Sequence, residues 1–188
     1  MTPLRRRLRE ETRAEHDRLD AAFGALDLSD TADYGVFLLA HHAAHDLIEP
    51  RIRPAPPRLD ALRRDLDILG LTPVSGFTHP SLDSAHPAGL SYVVAGSYLG
   101  GQVLKRAWQA SPNRKLHAAG HYFALPGLKD HWQAVLKVLK EMDPEQHDDV
   151  LEGARTAFMC FERALEHVSR GGMSPIMETG SRGAVKEK

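Results

Sequence analysis

The chain has 188 residues, 42% of them hydrophobic and 26% charged, with a formal net charge of −1. That length and balance suit one folded domain with a real core. They exclude a chain disordered throughout and a dedicated nucleic-acid binder, which carries a strong basic excess. One cysteine, Cys160, excludes an internal disulfide and a cysteine-built zinc module.

The N-terminal MTPLRRRLREE is basic and lacks the apolar segment of a signal peptide. No stretch approaches the ~18 consecutive apolar residues of a membrane span, so the expected compartment is the cytoplasm and no membrane partner is expected. Apolar and small residues then recur at helical spacing (Leu8, Thr12, Leu19, Phe23), which predicts one helix from Pro3 to about Phe23 with Thr2 as its cap. A polar link covers Asp27 to Asp33. A second helix is expected from about Thr31 to Glu49, ended by Pro50. RIRPAPPR is a proline-rich connection. Leu59, Leu62, Leu66 and Leu69 mark a third helix that stops at Gly70. A long irregular stretch follows. A fourth helix is expected from about Pro87 to Gln109, and PNRKLHAAGHYFALPG reads as a short helical turn and a loop. The last two helices are expected over Leu128 to Glu141 and from the Asp143-Pro144 cap to about Val168, the latter burying Val150, Leu151, Ala154, Phe158, Phe161 and Leu165. The breaker-rich tail from 171 to 188 is expected to be disordered. The fold class is therefore all-α: a single-domain multi-helix bundle over residues 1–170.

Eleven histidines need an explanation. His16 lies on the Leu8, Thr12, Leu19, Phe23 stripe, which predicts that it faces inward. It reads either as a core histidine satisfied by a hydrogen bond or as a metal or heme ligand. Arg5, Arg6, Arg7, Arg9 and Arg13 share its helix, and Arg9 lies about 10 Å before it along the axis on nearly the same face. Those arginines are either a solvated basic face or partners for an anionic group. Gly96, Gly100 and Gly101 interrupt the fourth helix at a combined cost of roughly 3 kcal/mol relative to alanine. Close helix packing could offset that cost, and so could backbone laid flat against a planar ligand. Ser97 would put a hydroxyl beside that surface. His41 and His45 are spaced to share a metal, but no third ligand supports them, and His41, His42 and His45 read as structural. No glutamate has a histidine three residues on, which removes a di-iron bundle. Cys160 reads as buried filler.

Three blocks together resemble the heme (haem) oxygenases, bacterial biliverdin-producing type. LREETRAEHDRLD resembles the family's proximal helix, GSYLGGQVLKR its glycine-rich distal helix, and ARTAFMCFERAL the helix that closes the pocket. With HHAAHDLIE of the second helix the likeness runs from about residue 4 to 168. The resemblance implies heme sandwiched between proximal and distal helices, as both substrate and cofactor, with His16 on the iron. It implies that Arg9, Thr12, Tyr92, Gly96, Ser97, Gly100, Gly101 and Phe158 bind the ring, with Gly96, Ser97 and Gly100 beside the reaction. The implied reaction takes O2 and electrons from an external reductase or ferredoxin and yields biliverdin, carbon monoxide and ferrous iron. A phytochrome-type photoreceptor is one conceivable acceptor of the bilin; iron acquisition is the other purpose. A carrier or sensor that binds heme without cleaving it, and a heme-free helical interaction domain, are the competing readings. Three positions depart from the family pattern. Ser97 stands where animal-type enzymes carry aspartate. The family's distal-helix tyrosine falls on Ser91, next to Tyr92. A basic pair in the penultimate helix falls on Asp130 and Ala134, with Lys129 and Lys137 nearby.

Overall fold

A computed structural model describes residues 2–172 and agrees with the all-α class. Nine α-helices occur among them: α1 Pro3–Glu11, α2 Arg13–Gly24, α3 Thr31–Ile52, α4 Leu59–Leu69, α5 Pro87–Gln109, α6 Arg114–Ala118, α7 His121–Ala124, α8 Leu128–Lys140 and α9 His147–His167. A π-helical turn, Val168–Gly172, extends α9. The rest of the tail, 173–188, where disorder is expected, lies outside the described residues.

The centre of the bundle is α3. It buries Tyr34, Phe37, Leu38, Ala40, Ala44 and Ile48 and has no exposed face from Phe37 to His45, because helices surround it there. It packs against α4, α5 and α9. α5 in turn lies along α8 and α9, and α2 leans on α9. The closest approach in this stack is between α5 and α9. A Cβ on Gly89 would sit 2.2 Å from the Val150 carbonyl oxygen, and one on Gly153 would sit 2.6 Å from that of His86. Only glycine lets the two backbones touch there.

Two boundaries in the first half of the chain differ from those read along it. The expected first helix is two helices, because Thr12 bends it. The Thr12 hydroxyl donates to the Leu8 carbonyl at 2.7 Å, and its backbone (φ −108, ψ 13) leaves helical geometry. Such back-bonding tilts the helix without breaking its ladder: the His16 N–H still reaches the Thr12 carbonyl at 3.0 Å. Pro50 does not end α3 either; the helix continues to Ile52 and stops where Arg53 takes a left-handed conformation ahead of Pro54. The carbonyl that loses its donor belongs to Asp46, which is exposed to water, and the Arg51 side chain binds the Leu47 carbonyl.

The stretch from 112 to 127 folds into α6 and α7 because buried groups need its backbone. The Tyr34 hydroxyl donates to the Ala119 carbonyl at 2.6 Å, and Trp108 Nε1 donates to that of Leu116 at 3.0 Å. Asp65, fully buried, accepts the backbone N–H groups of His121 and Tyr122, at 2.9 and 2.8 Å. The irregular stretch before α5 is anchored by Arg51, which donates to the Leu82 carbonyl at 3.1 Å and pairs with Asp83.

His41, His42 and His45 all lie in this core. The His41 ring packs on Phe37 at 4.1 Å between centroids, and its Nδ1 is 3.0 Å from the Phe37 carbonyl oxygen. Burial pushes His41 down to about 3 and lowers His42 and His45 as well, so all three are neutral at pH 7.

Two predictions follow from this packing. Gly89→Ala forces two backbones apart and should lower unfolding stability by about 2–3 kcal/mol in urea melts, with Gly153→Ala close behind. The unfolded chain binds protons on His41 below about pH 6.5 while the folded chain does not. Stability should therefore fall as pH drops from about 6.5 toward 3, by up to about 1.4 kcal/mol per pH unit for His41. Unfolding at several pH values should show that slope, and His41→Leu should flatten it.

Candidate heme site

The site residues belong to α1, α2, α5, α8 and α9. Leu4, Leu8 and Thr12 point into the core at 1%, 0% and 2% exposure. The bend at Thr12 then turns α2, and His16 does not face inward as its stripe predicts. Its side chain is 56% exposed, at the edge of the bundle. The imidazole lies edge-on to Phe158 of α9, 5.9 Å between centroids and 71° between planes. Nδ1 is 3.4 Å from an oxygen of Asp20, one turn on. Nε2 has no hydrogen-bond partner among the described residues. A carboxylate beside Nδ1 favours the tautomer with its proton there and leaves the Nε2 lone pair for a metal.

The glycines of α5 separate onto two faces. Gly96, Leu99, Gly100 and Val103 follow one another at helical spacing on one of them, and Leu99 and Val103 are 56% and 68% exposed. A Cβ on Gly100 would meet nothing within 4 Å, and one on Gly96 would make ordinary contact with Trp132 at 3.5 Å. These glycines are not where helices press together; that role falls to Gly89 and Gly153. The stripe is instead an exposed, flat, apolar strip of helix, a feature that asks for an apolar partner. Gly101 also has open space beside it, but it belongs with Ser97 and Tyr98 on the other face, around a small cavity. The Ser97 hydroxyl donates to the Val94 carbonyl at 2.7 Å, so its proton is turned back into the helix rather than toward the glycine strip.

A third group forms where α1, α5 and α8 meet. The Trp132 ring of α8 lies 5.7 Å from Tyr92 and 5.6 Å under the Arg5 guanidinium. Burial pushes the Tyr92 phenol up, while the charges of Arg5 and Arg9 pull it down. Arg5, Arg9 and Tyr92 therefore gather at one corner, which reading along the chain did not reveal for Arg5 or Trp132. Lys129, Asp130, Ala134 and Lys137 are all exposed on α8. A larger open groove of about 460 Å³ at the C-terminal end of α9 is lined by Phe77, Arg163, His167 and Arg170, and none of the residues above reaches it.

The donor set suits a metal that brings its own equatorial ligands. No group of three or more His, Cys, Asp or Glu side chains able to hold an ion occurs among the described residues. A single exposed imidazole, an apolar glycine strip and a corner of cations fit an iron macrocycle with anionic rim groups. Because Gly100 faces open space, Gly100→Ala should raise the stability of the protein alone by about 0.5–1 kcal/mol, the opposite sign to Gly89→Ala, in the same urea melts.

No helix among the described residues is long and apolar enough to cross a membrane. No family model matches the chain. A curated relative, the heme oxygenase of Xanthomonas campestris pv. campestris (strain 8004), is 32% identical over 117 residues, which cover 60% of this chain and 70% of the relative. With that likeness over most of the relative's length, and with the all-helical architecture, the chain belongs to the heme oxygenase family.

Proposed function

We propose that the protein is a biliverdin-forming heme oxygenase of the cytoplasm. The observation that carries this reading is the strip Gly96, Leu99, Gly100, Val103: apolar helix surface on which Leu99 and Val103 are exposed and a Cβ on Gly100 would meet nothing within 4 Å. Bound heme supplies the iron where O2 is reduced and the meso carbon that is oxidised, with biliverdin, carbon monoxide and ferrous iron as products. The chain's residues do the rest. His16 would hold the iron through Nε2, with Asp20 and Phe158 beside its ring to hold its orientation. Thr12 delivers it by bending the helix. The glycine strip would offer the ring an apolar surface and exclude bulk water there. Arg9 and Tyr92, together with Arg5, meet the propionates and so orient the ring. Ser97 and Gly101 border the solvent that carries protons in. Electrons come from an external reductase or ferredoxin, and the bilin passes to an acceptor such as a phytochrome.

One observation favours a second reading, a heme carrier or sensor that does not cleave its ligand: the Ser97 proton is committed to Val94 and not to the strip. Heme titration followed by turnover separates the two. The protein should bind heme 1:1 and, given ascorbate and O2, convert it to a bilin; a heme spectrum that outlasts this treatment leaves only the carrier. His16→Ala should fold normally and shift the Soret band, with heme affinity at least tenfold weaker, and an unchanged spectrum would remove His16 as the ligand. Gly100→Leu should leave the melting temperature within a few degrees of the parent and abolish tight heme binding.

A further inference from the structure

We propose that the groove between the 76–82 stretch and the end of α9 is a second tetrapyrrole site, one that takes the open-chain bilin dicarboxylate after it leaves the heme site. The identity of the ligand rests on the heme-cleavage reading; the chemistry of the groove rests on its own residues.

The groove is built along one face of a helix. Arg163, Glu166, His167 and Arg170 follow at helical spacing as α9 runs into its π-helical turn, and Phe77 and Thr78 form the opposite wall. That wall is held in place. The Phe77 ring packs on that of His167, 5.6 Å between centroids, and Arg51 ties down the chain at Leu82 and Asp83. The volume, about 460 Å³, suits an organic molecule and exceeds what an inorganic anion fills. His167 lies beyond Phe158 by about 14 Å along the helix axis, so the groove is a separate place from the surface beside the His16 imidazole.

Its charges are unequal. Arg163 makes no ion pair among the described residues, while Arg170 pairs with Glu166 at 3.3 Å. Two guanidiniums thus share one carboxylate. His79, buried next to Thr78 in the chain, registers the excess: burial pushes its imidazole down, Arg163 pushes it further, and no acid opposes them. A ligand carboxylate would offset that excess, and the guanidinium fork matches its geometry. The Phe77 and His167 rings add a flat surface on which a conjugated molecule packs. Glu166 decides between the two tetrapyrroles. A carboxylate beside an anion site is adverse unless the ligand also brings donors. In heme the four ring nitrogens hold the iron and offer no N–H. In a bilin they have lost the iron and carry N–H groups, which Glu166 can accept. An open groove also follows a chain that bends, whereas a rigid disc needs a slot.

The test adds biliverdin to the heme-free, full-length Gly100→Leu protein, whose strip is blocked, and reads binding from the circular dichroism induced in the bilin's visible bands. One biliverdin should bind per chain. Replacing Arg163 and Arg170 together by alanine in that background, both being exposed, should keep the fold and weaken binding at least tenfold, and Glu166→Leu should weaken it several-fold. Heme should bind the Gly100→Leu protein at least tenfold more weakly than biliverdin does. If Gly100→Leu does not fold, the parent carries the test: it should take two biliverdins per chain and lose one of them with the two arginines. No biliverdin on the Gly100→Leu protein, an affinity indifferent to the arginines, or heme held as tightly as biliverdin overturns the site. Each of these leaves the heme-cleavage reading intact, because heme titration and turnover of the parent decide that. A parent that leaves heme uncleaved removes the cleavage reading, while the biliverdin titration still decides the groove.

Discussion

Two backbones touch where α5 crosses α9, and the geometry of the site depends on that contact. With no Cβ on Gly89 or Gly153, the helices close to a separation that no other residue permits, and their register is locked. From this point α9 runs on to Phe158, which meets the His16 imidazole, while α5 runs on to the glycine strip. α2 and α5 each take their bearings from α9 rather than from one another. The His16 imidazole and the glycine strip then stand apart with a fixed relation between them, as the proposed heme site requires.

α5 divides its labour along its length as well as by face. Gly89, Gly96 and Gly100 share one face, seven and eleven residues apart: it touches α9 at Gly89, meets Trp132 at Gly96 and lies open at Gly100. A second face carries Ser97 and Gly101, which border the cavity with Arg58. No packing contact offsets the mid-helix cost of Gly100 and Gly101, which accords with the proposed ligand surface.

Much of the fold was legible because helices declare themselves by period. The Leu59–Leu69 stripe, the Asp143-Pro144 turn and the ends of α5 and α8 stand where the chain pattern puts them. Asp143 caps a short 3₁₀ turn, Pro144–Gln146, that leads into α9. The α6–α7 stretch was illegible, since its backbone is organised by Tyr34, Asp65 and Trp108, all distant in sequence. The bend at Thr12 hides for another reason: a threonine in mid-helix is ordinary, and only the carbonyl it chooses decides whether the helix tilts. Arg58 ends a proline-rich connection, and no local signal marks it as buried.

By itself the sequence determined the helical class, most helix ends and the residue types available for chemistry: one histidine among arginines, three glycines in a row of turns, a phenylalanine near the end. These follow from local periodicity and from residue chemistry, which need no knowledge of neighbours. Tertiary structure decided direction. It turned His16 outward to the bundle's edge, built a cavity beside Ser97 and Gly101 while leaving Gly100 open, and drew Arg5, Arg9, Tyr92 and Trp132 to one corner. Facing is set by which helices press together and how closely, and that depends on contacts such as Gly89 against Val150, made between residues far apart in the chain.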